Sequence, residues 1–340
     1  MLNFTIVSLI YVTFEILLVL GLNVQYGLTG ILNLSFIVPY AAGAYFTGVV
    51  SGPPAGAGVY HIGGYNLPWY LGILGGLAAA YLVAAIIGSF TLGRRLRASF
   101  LTVGTLVVAV VLLQVISQDQ NLFNGNLGLL QVPSPVSSST SGTNMGQFLF
   151  LLITAAFTIA SYVLCEMLRR SPFGRMLRAI RDDEVATEVF GYAVFRMKMK
   201  AFIYGGVLAA LAGSLTIMYV GGFAPAGWSV YEIIFALTCL FVGGVGSNVG
   251  GVVGAGLVVL ILVQASSLVP TLQSNPTLIQ SVRAGLVGVL LILILRFRPQ
   301  GLIPERPQSL EPEPRHGSRG LWALAPRAVS RIGNSVSRVG

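Results

Sequence analysis

Long apolar runs separated by short polar breaks dominate this chain. A bilayer crossing needs about 20 mostly apolar residues. Runs of that kind fall at residues 4–22, 32–50, 68–92, 99–118, 147–167, 201–220, 230–245, 249–269 and 278–295. The pattern predicts an all-α integral membrane protein, a polytopic bundle of about 8–10 transmembrane helices. Residues 23–33 (Asn-Val-Gln-Tyr-Gly-Leu-Thr-Gly-Ile-Leu-Asn) make a poor plain span and predict a broken or re-entrant segment. The N-terminal run has no basic flank and no clear small-residue cleavage site, so it reads as a span and not as a signal peptide.

Composition supports that reading. Of the 340 residues only 9% are charged, against about 25% in soluble domains. Basic residues outnumber acidic ones 20 to 11, and they cluster between the spans. Three lie at Arg94, Arg95 and Arg97, eight between Arg169 and Lys200, and eight from Arg296 to the end, with Arg283 alone. Positive charge stays in the cytoplasm. The three clusters therefore mark the inside and the basic-free loop 119–146 the outside. The N-terminus falls outside if both early segments cross. Residues 1–298 are expected to form the transmembrane domain, with a cytoplasmic loop at 169–200 and an external loop at 119–146. Residues 299–340 read as a cytoplasmic tail, disordered by its Pro, Arg, Glu and Ser content. Within it, Leu321–Val339 has the makings of a basic amphipathic helix.

The chemistry is sparse. Cys165 and Cys239 lie far apart inside apolar runs, and the two histidines, His61 and His316, belong to no metal-ligand cluster. The basic balance forms no single face for nucleic acid. The phosphate-binding loop requires a lysine after glycine, and neither Lys198 nor Lys200 follows one. No catalytic constellation is present, so metal, cofactor and covalent chemistry are not expected of this chain. Among the acids, only Glu15 is predicted at mid-span; Glu166 and Glu232 lie near span ends. Arg283, at the outer start of the last span, is expected to snorkel. If this protein moves something uphill, the energy has to enter from a partner.

The segment 169–200 is where a partner could push. Ser171-Pro172 reads as an N-cap followed by proline at the first helical position. The helix is expected to run from Phe173 through Glu184 towards a stop at Gly191. Arg178 and Asp182 are spaced as an i, i+4 pair, with Met176, Leu177, Ile180 and Val185 as an apolar stripe. A solvated loop helix fits this spacing equally well.

The residues Arg170-Ser-Pro-Phe-Gly-Arg-Met-Leu-Arg-Ala-Ile-Arg-Asp-Asp-Glu184, then Glu188-Val-Phe-Gly191 and Lys200-Ala-Phe202, resemble the cytoplasmic loop of branched-chain amino acid ABC transporter permeases, the M-type subunit most closely. Three further segments agree in order. They are Gly21-Leu-Asn-Val-Gln-Tyr-Gly-Leu-Thr-Gly-Ile-Leu-Asn-Leu34, Gly243-Gly-Val-Gly-Ser247 with Gly250, and Arg296-Phe-Arg-Pro-Gln-Gly-Leu302. The resemblance spans residues 5–303. Departures are Ser35-Phe36 where the family often has Gly-His, Glu15 at an expected neutral place, and a Ser/Thr run ending 119–146.

The resemblance implies an importer with a second permease subunit (a heterodimer), two cytoplasmic ABC ATPases that use ATP, and an external substrate-binding protein. This chain would bind no cofactor and would sit in a bacterial inner membrane with its C-terminus cytoplasmic. Its ATPase-coupling helix would use Ser171, Pro172, Phe173, Gly174, Arg175, Arg178, Ala179, Arg181, Asp182, Glu184 and Gly191. Glu15, Asn23, Gln25, Tyr26, Gly27, Thr29, Gly30 and Asn33 are candidates for the translocation pathway, since non-helical backbone at membrane depth can line a watery cavity. The other reading of the 21–33 motif is that its glycines permit close packing and its amides bond across helices. Gly243, Gly244, Gly246, Ser247, Gly250 and Gly254 are expected to form a turn and a small-residue packing surface. Alternatives left open are a urea or amide importer permease, and a stand-alone secondary transporter or channel, which the near-absence of intramembrane ionisable groups disfavours.

Overall fold

The computed structural model describes residues 2–54, 62–93, 98–136, 144–267, 276–298 and 300–305. The basic cluster at 94–97, the loop tip 137–143 and the tail from 306 lie outside the described residues. The first half of the chain holds α1 (Leu2–Leu22), α2 (Ile37–Ser51), α3 (Trp69–Leu92), α4 (Ala98–Gln118) and the short α5 (Gln120–Phe123). The second half holds α6 (Asn144–Arg170), α7 (Pro172–Asp182), α8 (Glu184–Val189), α9 (Val194–Val220), α10 (Val230–Gly243), α11 (Asn248–Ser267) and α12 (Pro276–Phe297). Each apolar run of the sequence is thus a helix. Six stretches among the described residues are long and apolar enough to cross a membrane, and α10 with α11 forms a further, bent pair.

That pair departs from two straight spans. The chain folds back by 119° at a four-residue break. At 1.5 Å per residue, the 14 residues of α10 extend only about 21 Å, less than the roughly 30 Å hydrocarbon core. Gly244 and Gly246 take positive φ, +119° and +83°, which lets the backbone reverse. Gly246 therefore lies in the turn ahead of α11. The close approach is made by Gly243 and Gly250: a Cβ at Gly250 would sit 2.6 Å from the Gly243 carbonyl oxygen.

α2, α3 and α9 pack together, and α1 runs down the other side against α6, α9, α10 and α11. α1 and α9 touch backbone to backbone, since a Cβ at Gly21 would lie 2.8 Å from the Gly205 carbonyl oxygen. Outward-facing Phe90, Ile159 and Ile292 are exposed, as expected where lipid or a neighbouring subunit is the solvent. At the end remote from α7, β1 (Leu129–Leu130) pairs antiparallel with β2 (Gly222–Phe223). Tyr45, stacked on Phe123 at 4.5 Å and edge-on to Phe223 and Trp228, anchors this clasp.

Candidate functional site: a polar joint and an acidic cavity

The α7 element starts as its sequence dictates. Ser171 Oγ accepts from the Gly174 amide at 3.2 Å, with Pro172 at the first helical position. Gly174 lets this turn press on the end of α6, because a Cβ there would lie 2.7 Å from the Arg169 carbonyl oxygen. Phe173 is half-buried beside it.

The helix does not run unbroken towards Gly191. It stops at Asp182, and Asp183 takes an extended backbone (φ −154°, ψ 105°). The Asp183 carboxylate accepts from the Ala186 amide at 2.9 Å and so caps a second helix, α8. An aspartate that can satisfy free amides at a helix start favours a new helix over continuing the old one. Gly191, with φ +85°, follows the end of α8, and Lys198 ties Glu184 back to α9 at 2.5 Å.

The expected Arg178–Asp182 pair is replaced by others. Arg178 turns inward, its side chain 11% exposed, with Nη2 donating to the Arg169 carbonyl at 3.0 Å and Nη1 3.5 Å from Glu305 Oε1. Asp182 lies 3.5 Å from Arg181 Nε. Leu177 and Ile180 are buried beneath α7, whereas Arg175, Ala179, Asp182 and Glu184 face outward. Val185 is not part of the buried stripe. With Val189 and Phe190 it forms an apolar face on α8, and these three are 72%, 81% and 80% exposed.

Beneath α7 the early motif forms a polar joint. After α1 the chain continues as a π-helical turn, Asn23–Gly27. Asn23 Nδ2 donates to Asn248 Oδ1 at 2.8 Å, and its Oδ1 accepts from the Gly246 amide at 2.8 Å. Asn248 in turn donates to Glu166 Oε2 at 3.0 Å, and Glu166 also holds Arg169 and Arg170. Gln25 Nε2 donates to the Phe202 carbonyl at 2.7 Å, and its Oε1 accepts from Asn33 Nδ2 at 3.0 Å. The Thr29 hydroxyl donates to the Gln25 carbonyl. Tyr26 meets Phe241 edge-on at 5.6 Å. Gly30, at φ +73°, lets the chain turn under Arg181, whose Cγ would be 3.2 Å from a Cβ there. Asn23, Gln25 and Asn33 are each 1% exposed or less; Asn23 and Gln25 bond to other helices and the α10–α11 turn, while Asn33 bonds locally to Gln25 and Ser35.

Residues 300–305 complete the joint. Leu302 and Ile303 amides donate to the Val242 and Gly243 carbonyls, each at 2.9 Å. Glu305 then reaches Arg181 Nη1 at 2.9 Å, and the same nitrogen donates to the Gly27 carbonyl. α7, the end of α1, the α10–α11 turn and the end of α12 thus meet at one point. Sequence reasoning missed Glu305, Asn248 and the pairing of Glu166. The apolar Leu302-Ile303 inside a polar tail was the available signal for the first.

Glu15 is elsewhere, well up α1 from the joint. It lines a cavity of about 750 Å³. One face of α1, with Phe4, Ser8, Tyr11, Glu15 and Leu18, forms one wall, and Tyr231, Glu232 and Phe235 of α10 another. Arg283 of α12 also lines it, half-buried, instead of simply snorkelling outward. Glu232, expected near a span end in water, faces this cavity. A charged carboxylate at a membrane helix centre costs roughly 2.5–3.5 kcal/mol on insertion scales, so such groups face interiors or water-filled spaces. Of the residues proposed for a pathway, only Glu15 lines this opening. Among the described residues no group of His, Cys, Asp and Glu could hold a metal.

The profile of the family described as branched-chain amino acid transport system, permease component, matches residues 1–298. The chain is 29% identical over 318 aligned residues to the high-affinity branched-chain amino acid transport system permease protein LivM of Salmonella typhimurium, a match covering 86% of this chain and 68% of that protein. LivM of Escherichia coli K12 is 28% identical over 319 residues with the same coverage. The probable branched-chain amino acid transport permease LivM of Methanocaldococcus jannaschii is 28% identical over 257 residues, 69% of this chain and 70% of that one. No solved structure matches.

Proposed function

Since the chain belongs to the branched-chain amino acid transport system permease family and is a multi-pass permease subunit of an ABC importer, we propose that it admits branched-chain or other amino acids across a bacterial inner membrane. A second permease subunit, two ATPase subunits and an external binding protein complete the machine, and ATP is consumed by the ATPases alone. α7 and α8 are the contact for an ATPase subunit, and α7, α8 and residues 300–305 lie in the cytoplasm.

The observation that carries this reading is the joint. Arg181 links α7 to the Gly27 carbonyl and to Glu305, while Asn23 links the end of α1 to the α10–α11 turn. A displacement of α7 by ATPase closure would therefore move α1, α10 and α12 together, and with them the walls of the acidic cavity. Coupling through packed elements of this kind is how a local push becomes a change of access. The exposed Val185, Val189 and Phe190 offer the apolar contact such docking needs.

The test is reconstitution of the complete transporter in proteoliposomes with radiolabelled leucine, isoleucine, valine, urea and short amides outside. ATP-dependent uptake of an amino acid is expected. Uptake of urea or amides alone would move the assignment to that substrate class, and uptake without any ATPase subunit would overturn the importer reading.

A further inference from the structure

Three ionisable side chains from three separate helices line the one cavity: Glu15 on α1, Glu232 on α10 and Arg283 on α12. We propose that this cavity binds a single α-amino acid within the membrane domain, Glu15 and Glu232 receiving its ammonium group and Arg283 its carboxylate. The inference rests on the importer reading and adds to it a site on this chain.

The first support is a buried acceptor. Glu15 is 6% exposed, and its Oε1 has no hydrogen-bond partner among the described residues. Buried polar atoms are nearly always bonded, so a cavity-lining carboxylate that keeps one oxygen unbonded, with the Cys239 thiol as its side-chain partner, is a place for a donor from outside the protein. An ammonium group supplies three donors and the opposite charge. The second support is the arrangement of charge. Two carboxylates and one guanidinium on one cavity match a ligand carrying both an ammonium and a carboxylate, the latter suited to the planar guanidinium fork.

The third support is the rest of the wall. Phe4, Phe14, Leu18, Phe235 and Val259 are apolar, and Ser8, Tyr11 and Thr216 add a few hydroxyls. A mostly apolar pocket with a few convergent polar groups is the usual form of a small-molecule site. Its volume of about 750 Å³ lies within the customary range of roughly 300–1,000 Å³. Among the described residues no group of His, Cys, Asp and Glu there could hold a metal, and the apolar walls favour an aliphatic side chain.

The experiment uses the assembled permease–ATPase complex in nanodiscs, without the external binding protein, and measures binding of tritiated leucine. Competitors are 3-methylbutylamine, which lacks the carboxylate, and 4-methylpentanoate, which lacks the amine. Leucine is expected to displace the label, and each half-ligand only at about 30-fold higher concentration or more. Glu15→Gln and Arg283→Gln should each weaken leucine binding by a similar factor. Arg283→Gln should leave the affinity for 3-methylbutylamine unchanged, which a merely structural defect would not. If Glu15→Gln fails to insert, Arg283→Gln carries the test from another helix. Equal leucine binding by wild type and variants overturns the site, as does a half-ligand that competes as well as leucine. ATP-driven leucine uptake is followed in parallel in the full transporter. Uptake with no effect of either variant sinks the cavity assignment alone, whereas no uptake of any amino acid by the wild type sinks the importer reading.

Discussion

Arg181 Nη1 donates to Glu305 Oε2 at 2.9 Å, joining α7 to the segment that follows α12, and the same nitrogen donates to the Gly27 carbonyl. Both side chains are largely buried, so the pair is not an ordinary surface ion pair. Glu305→Gln should lower stability by about 1–3 kcal/mol and reduce substrate-stimulated ATP hydrolysis more than basal hydrolysis. Thermal unfolding in detergent and ATPase assays check this. The double variant Arg181→Glu/Glu305→Arg should recover part of the loss, and strict additivity of the two single changes would show that the pair does not couple.

Asn23 uses both ends of its amide, towards Asn248 and the Gly246 amide. Asn23→Leu leaves these buried groups without partners at a cost of about 1–3 kcal/mol each. The expected outcome is a lower melting temperature, with the α10–α11 turn becoming more accessible to hydrogen exchange. Unchanged exchange at 244–248 would count against the joint.

Gly174 and Gly191 are predicted to differ in kind. Alanine at 174 would drive a Cβ into the Arg169 carbonyl at 2.7 Å, an overpacking defect of about 1–3 kcal/mol. Alanine at 191 has open space around it but a φ of +85°, costing about 1–2 kcal/mol of backbone strain. Gly174→Ala should therefore shift α7 against α6 and impair coupling, while Gly191→Ala should lower stability with coupling intact. Equal effects on ATPase stimulation would contradict this.

The apolar face of α8 should matter to partners and not to folding. Val189 and Phe190 are about four-fifths exposed, so Val189→Ser/Phe190→Ser should change stability by no more than about 0.5 kcal/mol. Copurification of the ATPase subunit is expected to fall at least tenfold, the loss of about 1.4 kcal/mol or more of contact. Arg178→Glu would instead break the joint, because that side chain points inward.

Sidedness can be read by cysteine labelling. Leu127 is 69% exposed and Val189 81%. In intact cells an impermeant thiol reagent should label Leu127→Cys and spare Val189→Cys. Native Cys165 and Cys239 are buried and should give little background. Labelling at position 189 would reverse the assigned orientation.

Local rules were enough for much of this protein. Run length and apolar content determined the helices, charge clustering their expected sides, and Ser171-Pro172 the start of α7, because each depends on neighbours in sequence or on the bilayer itself. The absence of a phosphate-binding loop was equally plain. The tertiary structure decided what meets what. That Asn23 bonds Asn248, that Arg181 bonds Glu305, and that Glu15, Glu232 and Arg283 share one cavity are relations between residues 51 to 268 positions apart. Their spacing obeys no helical period, so only the packing of α1, α7, α10, α11 and α12 together creates them. The break at Asp183 was also undecided locally, since an aspartate there can continue one helix or cap the next. Lys198 holding Glu184 against α9 is the distant contact that favours the cap.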